Sequence, residues 1–304
     1  MPNHRFCLRT LCLFVALPLA AFSQKEDRKL TAQLLELTRS FNGDVGIYVQ
    51  HLKTGRFAAI NADTVFPTAS IVKVPLLVGL FDKIDKGELS YHQPMVYRDS
   101  AKYGGSGLMK LFKDSAETEI SVMAALMMSY SDNTTSLWIQ SLAGGGQRVN
   151  EILEQYGFKN TRVNSRTPGR ADIWKIYGWG QTTPREMTRL VSMIRKGEIL
   201  TPAACDRMYR LMCRGYNDES SLSQIPPYVQ AAHKTGAVDD ARGEVVLVNA
   251  PHGDYVFQIA TKNIKDQRWA VDNEAVVLIR NVSAAIWRHF EPDSDWKPLY
   301  TVYR

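Results

Sequence analysis

Strand-like segments stand near both ends of this chain, and helical periodicity fills its middle. At the front, residues 44–50 (DVGIYVQ) and 57–60 read as two strands joined around Lys53-Thr54-Gly55. At the back, strands return at 228–233, 244–248 and 255–261, the last two linked by the turn Pro251-His252-Gly253-Asp254. Helices flank them. Residues 27–41 carry Leu30, Leu34, Leu35 and Leu37 at helical spacing, and 273–289 carry Val276, Ile279, Val282 and Ile286. From Ser70 to about 215 the pattern is helical throughout. This order predicts an α+β fold with one antiparallel sheet built from both termini, flanked by helices, plus an all-helical insert. The expected division is 24–66 with 215–304 as the sheet subdomain and 67–214 as the helical subdomain, interlaced as one catalytic unit.

The first 23 residues are set apart. Arg5 and Arg9 precede twelve apolar residues, 11–22, and Ala21-Phe22-Ser23 offers small residues where a signal peptidase cuts. Twelve residues fall short of the roughly 20 that a spanning helix needs. Cleavage before Gln24, export to the periplasm or medium, and no stable membrane anchor are expected. Cys7 and Cys12 leave with this segment. Cys205 and Cys213 lie eight residues apart in a helix over 201–214, about 12 Å, too far for a disulfide. With no CxxC or HxxxH spacing, neither a metal nor another cofactor is expected. The net charge of +6 is spread along the chain with no Lys/Arg run, which argues against nucleic acid as a partner.

Three short motifs occur in order: Ser70-Ile71-Val72-Lys73, Ser131-Asp132-Asn133 and Lys234-Thr235-Gly236. Singly they are weak, since Ser294-Asp295-Trp296-Lys297 and Lys53-Thr54-Gly55 also match. Context separates the copies. Ser70 opens an apolar helix, so Lys73 lies one turn on, on the same face. A helix N-terminus favours negative charge on the Ser70 oxygen, and a desolvated lysine accepts its proton. Taken alone, Ser70 also fits a helix N-cap. A Ser-His-Asp hydrolase would want Gly-x-Ser-x-Gly, which is absent, and Gly144-Gly145-Gly146 lacks the Gly-Lys-Ser/Thr ending of a phosphate loop.

The three motifs resemble those of the penicillin-recognising serine acyl-transferases, and most closely the class A β-lactamases. Gly105-Ser106-Gly107-Leu108, Thr182-Thr183-Pro184 and Ala241-Arg242-Gly243 extend the likeness over nearly the whole chain. The resemblance implies a β-lactamase/D,D-peptidase-like fold, with Ser70 as acylated nucleophile, Lys73 as its proton partner and Ser131 as proton donor to the leaving nitrogen. It further implies that Asn133 holds the substrate amide carbonyl and that Lys234 and Thr235 bind the substrate carboxylate, with Gly236 and Ala237 among the substrate-binding residues. Backbone N–H groups of Ser70 and Ala237 would form an oxyanion hole. Arg242 matches a second carboxylate-binding arginine, or else a surface ion pair; Asp132 reads as structural. Tyr103 would flank the entrance or be an exposed loop tyrosine, and the aromatic stretch 174–179 would shape the site or pack its own loop.

One position departs. The family places a glutamate before a proline to activate the deacylating water, whereas here Thr167 precedes Pro168, and no glutamate occurs between Glu154 and Glu186. Glu151 and Glu154 read as the solvent face of a helix over 148–156. A threonine hydroxyl is not basic at neutral pH, and losing a general base costs about 10²–10⁴-fold. Asp172 is the first alternative carboxylate; Lys73 serving both steps, or Thr167 positioning water, are the others. The expected activity is opening of β-lactam amides by a monomeric, exported serine hydrolase. The rivals are a penicillin-binding peptidase or esterase acting on peptidoglycan stem peptides, and a non-turnover β-lactam sensor.

Overall fold

The computed structural model describes residues 25–213 and 215–298; the expected signal peptide lies outside them. The main sheet takes β1 (Asp44–His51) and β2 (Phe57–Ile60) from the front of the chain. Around the helical insert run five two- or three-residue strands, β3 (Phe66–Pro67), β6 (Arg162–Val163) and β7 (Gly180–Thr182) in one small sheet, and the pair β4 (Pro94–Val96) and β5 (Glu117–Glu119) in another. From the back come β8 (Ala231–Val238), β9 (Ala241–Val248) and β10 (Tyr255–Lys262), giving the order β2-β1-β10-β9-β8, all antiparallel. Front and back meet where Ile47 stands opposite Ile259.

Each sheet face buries its own core. Helices α1 (Arg28–Thr38) and α9 (Glu274–Phe290) cover one face with Leu30, Leu34, Ile279, Val282 and Ile286 against Val49, Val246 and Phe257. The opposite face carries the insert, centred on α2 (Lys73–Asp85), whose residues Lys73 to Asp82 are all buried. A helix apolar around its whole circumference belongs inside a bundle. Packed about it are α3 (Ile120–Ser129), α4 (Asn133–Leu142), α5 (Gly145–Gln155) and α8 (Pro202–Met212), while α7 (Pro184–Lys196) lies between α8 and the sheet and the short α6 (Ala171–Tyr177) lies outside.

Three boundaries differ from the sequence expectation. The Ser70 segment is a 3-10 turn, Ala69–Val72, continued by α2, and not one α-helix. The strand expected over 228–233 begins at Ala231 and runs through the Lys-Thr-Gly motif to Val238, because pairing with β9 extends that far. The aromatic stretch 174–179 begins inside a helix, where a loop was expected. Cys205 and Cys213 are free, as their spacing required. Glu151 and Glu154 are exposed. Among the described residues there is no cluster of metal-ligating side chains, and no helix is long and apolar enough to cross a membrane.

Candidate active site

The site lies where the first turn before α2 meets β8 and the α3–α4 junction. Its backbone is tightly fitted. A Cβ on Gly236 would stand 2.2 Å from the Thr68 carbonyl oxygen, so only glycine lets β8 pass this close to the turn carrying Ser70. Two flanking residues adopt left-handed backbone without being glycine, Ala69 at φ 42° and Ser131 at φ 53°. Such conformations cost about 1–3 kcal/mol each and persist only where surrounding packing imposes them. For Ser131 the packing is visible: Asp132 caps α4 through the Thr135 N–H, and its other oxygen accepts from the Leu108 and Met109 N–H groups. Asp132 is thus a structural anchor, holding the 105–109 loop to the helix start.

Inside this frame Lys73 is fully buried. Its Nζ lies 2.8 Å from Ser70 Oγ, 2.8 Å from the Ser131 carbonyl oxygen, 3.1 Å from Ser131 Oγ and 2.9 Å from Asn133 Oδ1. Burial, and next the positive charge of Lys234, push the Lys73 pKa well below the usual lysine value, with Asp132 opposing. A neutral amine so placed accepts the Ser70 hydroxyl proton while donating to the Ser131 carbonyl and Asn133 Oδ1. Lys234, also buried, donates to Ser131 Oγ at 3.0 Å and to the Thr235 carbonyl. Burial lowers its pKa to about 7, against the pull of Glu244. Ser131 Oγ therefore sits between two amines whose proton affinities burial lowers.

Ser70 opens onto two cavities. One, of about 360 Å³, takes in Ser131, Thr235, Gly236, Ala237 and Arg242; the other, of about 780 Å³, runs past Asn133 and Ala237 to Tyr103, Trp174 and Trp179. The structure thus brings Ser70, Lys73, Ser131, Asn133, Lys234, Thr235, Gly236, Ala237 and Arg242 to one place. Arg242 is buried in a cavity wall, not in a surface ion pair; its guanidinium donates to the carbonyls of Val238 and Arg268.

Thr167 and Asp172 stand apart from that group. Thr167 is buried, donates to the Ser165 carbonyl, and faces a third cavity of about 610 Å³ that shares Tyr103, Trp174 and Trp179 with the second. Asp172 has a side chain 91% exposed and paired with Lys175, and it lines none of these three cavities.

Sequence reasoning missed two features. Behind Lys234, the buried pair His233–Glu244 joins at 2.7 Å, with Glu244 also accepting from the Ser221 N–H. Over Arg242 lies the indole of Trp269, 4.4 Å away. No alternation marks His233 or Glu244, because β9 and the first half of β8 are buried on both faces, and nothing local marks Trp269.

The model of the "Beta-lactamase enzyme family" matches residues 29–290. Beta-lactamase VEB-1 of Pseudomonas aeruginosa is 22% identical over 297 residues, covering 94% of this chain and 97% of the relative. Among solved structures, PBP-A superposes with a TM-score of 0.78 at 27% identity, covering 88% of this chain and 98% of its own. A variant of it has been captured as an acyl-enzyme complex with penicillin G. A beta-lactamase from Chitinophaga pinensis gives a TM-score of 0.77 at 21% identity, covering 86% and 99%.

Proposed function

Because the chain belongs to the beta-lactamase enzyme family, matched over most of its length, we propose that this serine hydrolase opens β-lactam amides through an acyl-enzyme on Ser70 and releases the product slowly. The observation that carries the reading is the buried Lys73 amine, 2.8 Å from Ser70 Oγ and depressed in pKa. Ser70 Oγ bonds the amide carbon while its proton passes to Lys73. The N–H groups of Ser70 and Ala237 hold the oxyanion, an interaction worth about 3 kcal/mol. As the C–N bond breaks, Ser131 gives its proton to the leaving nitrogen and recovers one from Lys73. Asn133 turns its amide toward the substrate's acyl side, and Lys234, Thr235, Gly236 and Arg242 seat the carboxylate.

Release of the acyl group needs activated water. Thr167 brings no carboxylate, and the exposed, ion-paired Asp172 is a poor substitute. Slow hydrolysis follows, with the Lys73 amine as the remaining base.

A second reading, a penicillin-binding peptidase acting on peptidoglycan stem peptides, is favoured by the same Thr167 and by the 27% identity with PBP-A, above the 21% with the Chitinophaga enzyme. On either reading the protein works as an exported monomer after loss of residues 1–23, its sheet subdomain and helical subdomain (67–214) meeting at the nucleophile. The apolar run 11–22 supports the export.

Intact-protein mass spectrometry after mixing with a penicillin tests this, with Ser70→Ala alongside. An adduct confined to the wild type, decaying while opened drug accumulates, is the expected result. An adduct that persists for hours, with release of D-alanine from stem peptides, replaces it with the second reading. No adduct, or one retained by Ser70→Ala, sinks both.

A further inference from the structure

The 360 Å³ cavity does not end at Arg242. Past that guanidinium its wall continues with Trp269, Val271, Val276 and Ile279. Trp269 is 69% exposed, an unusual state for the largest side chain at a cavity mouth, yet it is firmly held. Its ring lies against the Arg242 guanidinium and its Nε1–H donates to Asp239 Oδ1 at 2.7 Å. The segment that carries it, between β10 and α9, is braced as well. Arg268 forms a two-pronged ion pair with Asp266, at 2.9 and 2.8 Å. Asp266 accepts from the Glu274 N–H at the start of α9, and Asn273 Nδ2 donates to the carbonyls of Asp266 and Arg268.

From this arrangement we infer that Trp269 is a specificity-determining residue on the leaving-group side, receiving a planar, apolar substituent carried next to the substrate's carboxylate. The physics is that of a preordered aromatic anchor. The indole is already fixed, so stacking a ring on it costs little entropy and removes apolar surface from water. The carboxylate paired with Arg242 would bring the neighbouring substituent over the indole, since Arg242 and Trp269 touch. A leaving group as small as a single methyl-bearing amino acid would leave the Val276–Ile279 wall empty, so the cavity favours a larger one. The inference rests on the proposed acyl-enzyme reading and narrows its substrate class.

The test compares two cephalosporins that share a thienylacetyl acyl side chain. One bears a dinitrostyryl group beside the carboxylate, the other a methyl group. Acylation rate constants are measured for wild type, Trp269→Phe and Trp269→Ala, each checked for a native thermal transition. The wild type is expected to prefer the dinitrostyryl compound, and Trp269→Ala to erase about three- to tenfold of that preference, the size of one aromatic contact. Trp269→Phe, which keeps a ring, retains most of it. In parallel, the Trp269 indole N–H resonance, assigned by its loss in Trp269→Phe, is followed as the dinitrostyryl compound is titrated into Ser70→Ala, and is expected to move. An enzyme that acylates with both compounds at a ratio unmoved by Trp269→Ala overturns this inference alone. A protein showing neither acylation nor an indole shift overturns it together with the reading beneath it. An indole shift without acylation supports the subsite and sinks only the acyl-enzyme.

Discussion

Lys73 Nζ stands 2.8 Å from Ser70 Oγ, at the head of a helix with no water-exposed side to which the amine could turn. Three further oxygens surround it, from Ser131 and Asn133, and the positive charge of Lys234 acts on it from across Ser131. Burial and that neighbouring charge lower the amine's proton affinity, which favours the neutral form able to take a proton. Lys73→Met, which keeps the length and loses the base, should lower the acylation rate about 10²–10⁴-fold with little change in fold. Stopped-flow mixing with a chromogenic β-lactam reads the rate, and circular dichroism checks the fold. A variant acylating at the wild-type rate would place the base elsewhere.

Lys234 gives two pH trends of opposite sign. Its folded pKa is about 7, below the ordinary lysine value, because burial disfavours the charge. Charged Lys234 attracts the substrate carboxylate, so apparent substrate affinity should fall as pH rises through 7. In the unfolded chain the amine stays protonated up to its ordinary pKa of about 10.4. Between these values the unfolded state binds more protons, so stability rises with pH across that window. Relative to Lys234→Met, which cannot titrate, the wild type should gain melting temperature from pH 7 to 9 while KM climbs. Parallel trends in both proteins would refute the assignment.

Thr167→Glu should shorten the life of the penicillin adduct by about 10²-fold or more. The new carboxylate has the adjoining 610 Å³ cavity to enter, and Trp179 and Tyr103 of that cavity also wall the one containing Ser70. Time-resolved mass spectrometry gives the lifetime directly. An unchanged lifetime in a variant that acylates normally would show that the loop cannot deliver water to the ester.

Gly236→Ala should lose at least tenfold in acylation, because its Cβ meets the Thr68 carbonyl at 2.2 Å and must displace the turn holding Ser70. Gly55→Ala is the contrast. Its Cβ meets nothing, and only its positive φ of 69° resists, so its cost falls on stability and not on acylation. Kinetics and thermal melts of the two variants separate the effects.

How far the letters reached depended on sequence distance. Ser70 and Lys73 declare their relation because three residues of helix fix it. The strands and terminal helices were legible as periodicity, and so was the sheet built from both ends. What stayed hidden is what only tertiary contact creates. The extension of β8 through Lys234-Thr235-Gly236 follows from its pairing with β9, and Thr235 is opposite Glu244 only once that hairpin closes. Asp172 looked available because its loop can be drawn near Ser70 on paper; in the fold its helix turns it to solvent and to Lys175. Trp269 gave no signal because its partners Arg242 and Asp239 come from another hairpin.

The pairing of β1 with β10 also sets a timetable. Strands from opposite ends of the chain are neighbours at the centre of the sheet, so closing that pair requires a loop spanning most of the chain. The hairpins of β8, β9 and β10 pair locally, but until the long-range contacts close, Lys234 and Gly236 have no fixed place beside the Ser70 turn. The nucleophile's surroundings are therefore completed late in folding, and during refolding the ability to take up a β-lactam should return with the slowest phase, after the helical signal has recovered.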